Sequence, residues 1–216
     1  MNIVVGISGA TGVVFGIRIL EALRSQAAIF SHLVVSPSAQ KTISMETPWN
    51  EGQVIALADK VHAFSNIAAS ISSGSFPVDA MVIAPCSAKT LAGIAMGYSD
   101  NLLVRAAEVT LKERRRLVLL VRETPLHAVH LQNMLTVTQM GAIVMPPVPA
   151  FYHRPTTVEQ IIDQTVNRAL DLLGVRLEAD LFQRWDGGRS AQTGREPLSA
   201  AHRPRQGVVH DDENSR

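Results

Sequence analysis

The stretch Asn2-Ile3-Val4-Val5-Gly6-Ile7-Ser8-Gly9-Ala10-Thr11-Gly12 decides the fold, because it joins a short run rich in Val and Ile to a glycine turn. Apolar residues then recur at helical spacing, at Val14, Ile17, Leu20 and Leu23, so the segment predicts strand, loop and helix in that order. The same grammar returns along the chain. His32 to Val35 predicts a strand, and Ser36-Pro37 supplies an N-cap followed by a proline at the first helical position. Asp79 to Ala84 is a continuous apolar strand, followed by the turn Pro85-Cys86-Ser87 and a small-residue helix from Ala88 to Met96. A helix from Asn101 to Glu113, a strand from Leu117 to Val121 and a helix from Pro125 to Gln139 follow. The strand Ala142 to Met145 runs into a proline-rich loop, and Thr157 to Leu173 is a final amphipathic helix stopped by Gly174. Strands that read as unbroken apolar runs are buried on both faces. The expected fold is therefore α/β, a three-layer parallel sheet between helices.

Composition sets outer limits on size and partners. At 216 residues the chain has room for about one domain. Apolar residues at 46% fill a core, and aromatics at 5% leave that core to small aliphatic side chains. Lys and Arg number 20 against 19 Asp and Glu, a balance that argues against a broad nucleic-acid or anionic-membrane footprint and leaves a small anion held by local cations. Cys86 is the lone cysteine, so neither an intramolecular disulfide nor a zinc cluster is available. The first basic residue is Arg18 and no apolar run approaches membrane-spanning length, which predicts a soluble, cytoplasmic protein. Residues 1–185 read as a single domain. Residues 186–216 hold few apolar side chains among many charges and read as a disordered or partner-docked tail.

In open parallel sheets ligands bind beyond the carboxyl ends of the strands, which singles out the residues that follow each strand. Gly6, Gly9 and Gly12 are spaced to let backbone approach a ligand and to aim helix amides at a phosphate, or simply to close a helix onto a strand. No acidic residue ends the second strand to hold a ribose hydroxyl; Ser36 stands there, which suits a mononucleotide better than NAD. Ser87, Ala88, Lys89 and Thr90 place hydroxyls and an ammonium at a second strand-to-helix junction, with Ser87 equally readable as an N-cap. Cys86 reads as a buried small hydrophobe or a nucleophile, and no histidine nearby in sequence supports the second. Arg105, Glu108 and Lys112 share one helix face, either a solvated salt-bridged face or part of a clamp with Arg122, Glu123, Tyr152 and Arg168 for a second phosphate. Arg114-Arg115-Arg116 reads as a solvated helix exit, and Glu46 as a surface residue or a member of the site. His127 and His130 lack a third ligand, so no metal is inferred.

Taken together, Gly6 to Gly12, Glu46-Thr47, Pro85 to Leu91, Arg105 to Val109, Leu111 to Arg114, Arg122-Glu123, His130 to Met134 and Phe151-Tyr152-His153 resemble the UbiX-type flavin prenyltransferase family over about residues 2–185. The resemblance implies a three-layer flavodoxin-like or Rossmann-like α/β fold and a homo-oligomer, usually a dodecamer, that binds FMN and dimethylallyl phosphate. It also implies transfer of the prenyl unit to N5 and C6 of reduced FMN, to make prenylated FMN for a UbiD-type decarboxylase. It assigns Gly9, Ala10, Thr11, Ser36, Ser87, Ala88, Lys89, Thr90 and Arg122 to the flavin. Tyr152, Arg168, Arg105, Lys112 and Trp185 go to the prenyl phosphate, and Thr11, Glu46, Lys112 and Glu123 to catalysis. Thr11 stands where serine is frequent in the family, and Gln132 where many members carry glutamate. Charge developing on the departing phosphate is matched by Lys and Arg, without a metal. Two other functions fit the same pocket: a noncatalytic FMN carrier or assembly subunit of an aromatic-acid decarboxylase, and a flavin-dependent cysteine-type decarboxylase.

Overall fold

The computed structural model describes residues 1–187. Residues Met1–Arg184 form one compact unit, and Trp185 falls outside it. The expectation for the tail from residue 188 onward lies outside the described residues.

Six parallel strands, β1 (Asn2–Ile7), β2 (Phe30–Val35), β3 (Lys60–His62), β4 (Ala80–Cys86), β5 (Arg116–Val121) and β6 (Ile143–Val144), stand in the order β3-β2-β1-β4-β5-β6. The helices are α1 (Val13–Arg24), α2 (Pro37–Glu46), α3 (Glu51–Ile55), α4 (Ala88–Met96), α5 (Leu102–Lys112), α6 (Ala128–Gln139) and α7 (Val158–Leu173). This is the doubly wound order, and setting aside the short edge strand β3 leaves the flavodoxin-like one. The order reverses between β1 and β4, where a crevice opens past the strand ends.

Side chains alternate across each strand, so β1 feeds two cores at once. Ile3, Val5 and Ile7 pack with α1 and α7 residues such as Leu20 and Leu170. Val4 faces the other way, with Met81, Ile83, Leu103 and Leu119. Both faces are dry because helices cover both, which is why β4 is buried at every position. Each buried Leu or Ile here is worth about 1.5–3 kcal/mol, so this paired burial holds the strand ends in fixed register.

The structure departs from the sequence reading in several places. Helix α3, strand β3 and a 3-10 turn at Ser70–Ser72 occupy a stretch without clear periodicity. Helix α6 starts at Ala128 rather than Pro125, because His127 caps it: its Nδ1 accepts from the Val129 amide at 3.2 Å. The arginine run is not simply a solvated exit. Arg115 donates to the carbonyls of Phe76 and Gly74 at 3.0 and 2.8 Å, and Arg116 opens β5 and reaches the Leu173 carbonyl at 3.2 Å. Among the described residues no helix is long and apolar enough to cross a membrane.

Candidate functional site

Main-chain hydrogen bonds bind the loops at the strand ends to one another. The Ser8 amide donates to the Pro85 carbonyl at 3.2 Å, the Ser36 amide to Ile7 at 3.0 Å, and the Arg122 amide to Cys86 at 3.0 Å. Ser8 adds its side chain: the hydroxyl donates to the Pro85 carbonyl at 2.7 Å and accepts from the Ser87 amide at 2.8 Å. At 1% exposure it is a structural latch between the first and second candidate loops. The sequence reading placed Ser8 in the loop without giving it this role, since only the fold brings Pro85 to it.

Two helices begin at these ends with side-chain caps. Ser36 accepts from the Ala39 amide at 3.1 Å to start α2, and Ser87 accepts from the Thr90 amide at 3.3 Å to start α4. Their free N-terminal amides add partial positive charge beside Lys89. Between them opens a cavity of about 840 Å³ whose wall includes Gly9, Ser36, Ser38, Ser87, Lys89 and Thr90. Its apolar side is supplied by Phe64, Val104, Met96 and Tyr98, with Asn101 at the start of α5. Phe64, Tyr98 and Asn101 were not among the expected site residues. They arrive from loops and a helix start that carry no local motif.

The glycine loop is shaped by its packing against neighbouring elements. A side-chain carbon on Gly9 would lie 2.2 Å from the Ser38 Cβ, so glycine there allows α2 to approach, while Gly12 holds a φ of +92°. The Gly12 amide is not offered to a ligand, because it donates to Glu46 Oε2 at 2.8 Å. The carboxylate at the start of α1 is favourably placed against the helix dipole. Glu46 is thus brought to the glycine loop from 34 residues away, next to the exposed Thr11 and the half-buried Ala10. Ala88 opens α4 and is half-buried. Cys86 is fully buried, and burial pushes its thiol well above the ordinary range, so it packs as a small hydrophobe.

The remaining candidates fall into separate groups within one chain. Arg122 and Glu123 follow β5, and Glu123 Oε1 accepts from the Thr124 amide at 3.1 Å. Arg105 and Lys112 line a second crevice of about 500 Å³ with Glu108, Arg114, Gln139 and Met140. There Arg105 lies 3.6 Å from Glu108, whereas Lys112 pairs with its neighbour Glu113. Tyr152 packs edge-on against His153 and Phe182, with ring centres 5.5 and 6.4 Å away. Arg168 pairs with Asp171 at 3.1 Å. Gln132 contacts Thr136 on α6 at 3.5 Å. Among the described residues no cluster of side chains could hold a metal ion.

The family model described as Flavoprotein matches residues 1–170. The flavin prenyltransferase UbiX of Escherichia coli strain K12 is 56% identical over 186 residues, covering 86% of this chain and 98% of the relative. This chain belongs to the UbiX-type flavin prenyltransferase family. Solved structures of UbiX-type proteins agree in fold. AnUbiX (PadA1), crystallised with FMN and dimethylallyl pyrophosphate, is 51% identical with a TM-score of 0.82 over 86% of this chain and 97% of that one. A dodecameric FMN-dependent UbiX-like decarboxylase from Escherichia coli O157:H7 is 50% identical with a TM-score of 0.84, over 87% of this chain and 100% of that one. In this UbiX-type chain Gly9, Ser36, Ser87, Lys89 and Thr90 line the strand-end cavity, Ala10, Thr11, Ala88 and Arg122 do not, and Arg105 and Lys112 line the second crevice.

Proposed function

We propose that the chain is a metal-independent flavin prenyltransferase that transfers the dimethylallyl group of dimethylallyl phosphate to reduced FMN. The observation that carries this reading is the strand-end cavity, in which Gly9, Ser36, Ser87, Lys89 and Thr90 come together from three separate loops. Its donor set fits FMN: capped helix starts and a lysine suit the phosphate, and the apolar wall of Phe64 and Val104 suits a ring system. Ala10, Thr11, Ala88 and Arg122 complete the flavin-binding set. When bound, reduced FMN supplies the N5 and C6 positions that become joined to the prenyl carbons.

The chain's own groups then divide the work. Arg105, Lys112, Tyr152 and Arg168 hold the allylic phosphate. The positive charge of Arg105, Lys112 and Arg168 is prearranged where the carbon–oxygen bond breaks and negative charge collects on the phosphate. Glu123 takes up and returns a proton there, while Glu46, fixed through the Gly12 amide, and the Thr11 hydroxyl serve proton movement on the flavin side. One chain leaves the cationic groups in separate places. We infer a homo-oligomer, the dodecamer of the Escherichia coli structure, as the assembled form. The exposed apolar side chains Val129, Leu131 and Leu135 on α6 support assembly. The product, prenylated FMN, passes to a UbiD-type decarboxylase, and the compartment is the reducing cytoplasm.

The reading is tested by following inorganic phosphate release from dimethylallyl phosphate under anaerobic conditions. Release should require reduced FMN and continue in EDTA. Binding of both ligands without release would instead make the chain a carrier of flavin.

A further inference from the structure

The two residues assigned to the prenyl phosphate on structural elements far from the cavity, Tyr152 and Arg168, are connected to each other through the segment that follows α7. That segment is anchored in the core. Leu177 and Leu181 pack against the cluster beneath α7, and the buried Asn167 accepts from the Leu181 amide at 2.8 Å and donates to Asp180 at 3.3 Å. From it Phe182 reaches the rings of Tyr152 and His153, at 6.4 and 5.7 Å between centres. Arg184 lies 6.0 Å from the Phe182 ring and turns its guanidinium onto Asp171.

The geometry at Asp171 is unequal. Arg184 grips both carboxylate oxygens, Nη1 to Oδ2 at 2.8 Å and Nη2 to Oδ1 at 2.9 Å, and also binds Asp180 through Nε and Nη2, each at 2.6 Å. Arg168 reaches the same carboxylate through Nη1 alone, at 3.1 Å. Among the described residues that is its ion pair, and its side chain is 46% exposed. A planar fork that already fills a carboxylate leaves a second arginine only a single contact. The Arg184 guanidinium also holds the Asp171 carboxyl below its usual range. Without Arg184, Asp171 would be free to take the Arg168 fork in a two-point pair and neutralise it.

We propose that Arg184 is a positioning residue for the prenyl phosphate: by occupying Asp171 from the anchored segment, it keeps the Arg168 guanidinium open toward an anionic ligand. The proposal rests on the assignment of Arg168 to the phosphate of dimethylallyl phosphate. Phe182, packed between Tyr152 and Arg184, ties both phosphate residues to the same support.

The test uses the full chain loaded with oxidised FMN, which allows binding without prenyl transfer, and calorimetric titration with dimethylallyl phosphate. Arg184→Gln should raise its Kd about 10-fold, the effect of losing one charge-assisted contact, while FMN affinity and Tm stay as in the parent. Arg184→Lys keeps the charge without the fork and should recover only part of the loss. Combined with Arg168→Ala, Arg184→Gln should add nothing further, because the group it positions is gone. An unchanged Kd in Arg184→Gln beside a raised Kd in Arg168→Ala would overturn the positioning role alone. An unchanged Kd in Arg168→Ala would overturn the phosphate assignment beneath it. Equal losses of FMN and prenyl phosphate affinity in Arg184→Gln would make the residue structural and also refute the proposal.

Discussion

Replacing Ser8 with alanine removes a side chain that bonds the first strand-end loop to the second. Its hydroxyl donates to Pro85 at 2.7 Å and accepts from the Ser87 amide at 2.8 Å, in a place only 1% exposed. The Pro85 carbonyl keeps the Ser8 amide as a donor, so it is not stranded, but the Ser87 amide loses its partner. Two hydrogen bonds at a net of about 1 kcal/mol each give a loss of about 2 kcal/mol, a factor of about 30 in the folded-to-unfolded ratio. Ser87 also caps α4 and lines the cavity, so loosening it should weaken FMN by about 5-fold, the equivalent of one hydrogen bond. Chemical denaturation measures the first effect and flavin fluorescence titration the second. Ser44→Ala, at an exposed hydroxyl with a 3.4 Å contact to its own helix, is the control and should change neither. A Ser8→Ala protein with parent stability and parent FMN affinity would refute the latch.

Glu123→Gln should retain FMN and lose about 100-fold or more in prenylation rate, because the amide keeps the shape but cannot take a proton; wild-type turnover in a flavin-loaded variant would remove the residue from catalysis. Tyr152→Phe should weaken dimethylallyl phosphate by about 10-fold and leave FMN binding alone, and equal losses measured by calorimetry would mean the phosphate group is misassigned. Acid stability should depend on His32, whose ring lies 3.0 Å from His62 and whose protonation is pushed down to about 4 by burial and then by His62. The folded state therefore binds fewer protons than the unfolded chain, so the stability is present above about pH 6.5 and lost as pH falls toward 4, by up to about 3 kcal/mol in all. Denaturation midpoints across that window should flatten in His32→Phe; an unaltered acid limb would count against the pair.

What could be read from the sequence follows from what each feature depends on. Strands such as Ala80–Cys86 are continuous apolar runs because both faces are covered, and helix starts at Ser36, Ser87 and Thr157 carry their caps locally. Lys60–His62 becomes a strand only by pairing with His32 to Val34, a long-range fact that a three-residue stretch does not contain. The cavity shows the same division. Gly9, Ser36, Ser87, Lys89 and Thr90 were legible because ligands gather at strand ends, whereas Phe64 and Tyr98 are placed by loop paths. Arg105 and Lys112 do share a helix face as their spacing required, but that face opens onto Gln139 and Met140 of α6 and its C-cap rather than onto the cavity. Spacing along one helix says which residues are neighbours, and only tertiary packing says what they face.

The mass of the flavin itself reports prenyl transfer. Protein incubated anaerobically with reduced FMN and dimethylallyl phosphate, in EDTA, should yield a flavin heavier by one five-carbon prenyl unit, with the phosphate released. An unchanged flavin mass, with both ligands demonstrably bound, would contradict the claim that this chain is a prenyltransferase.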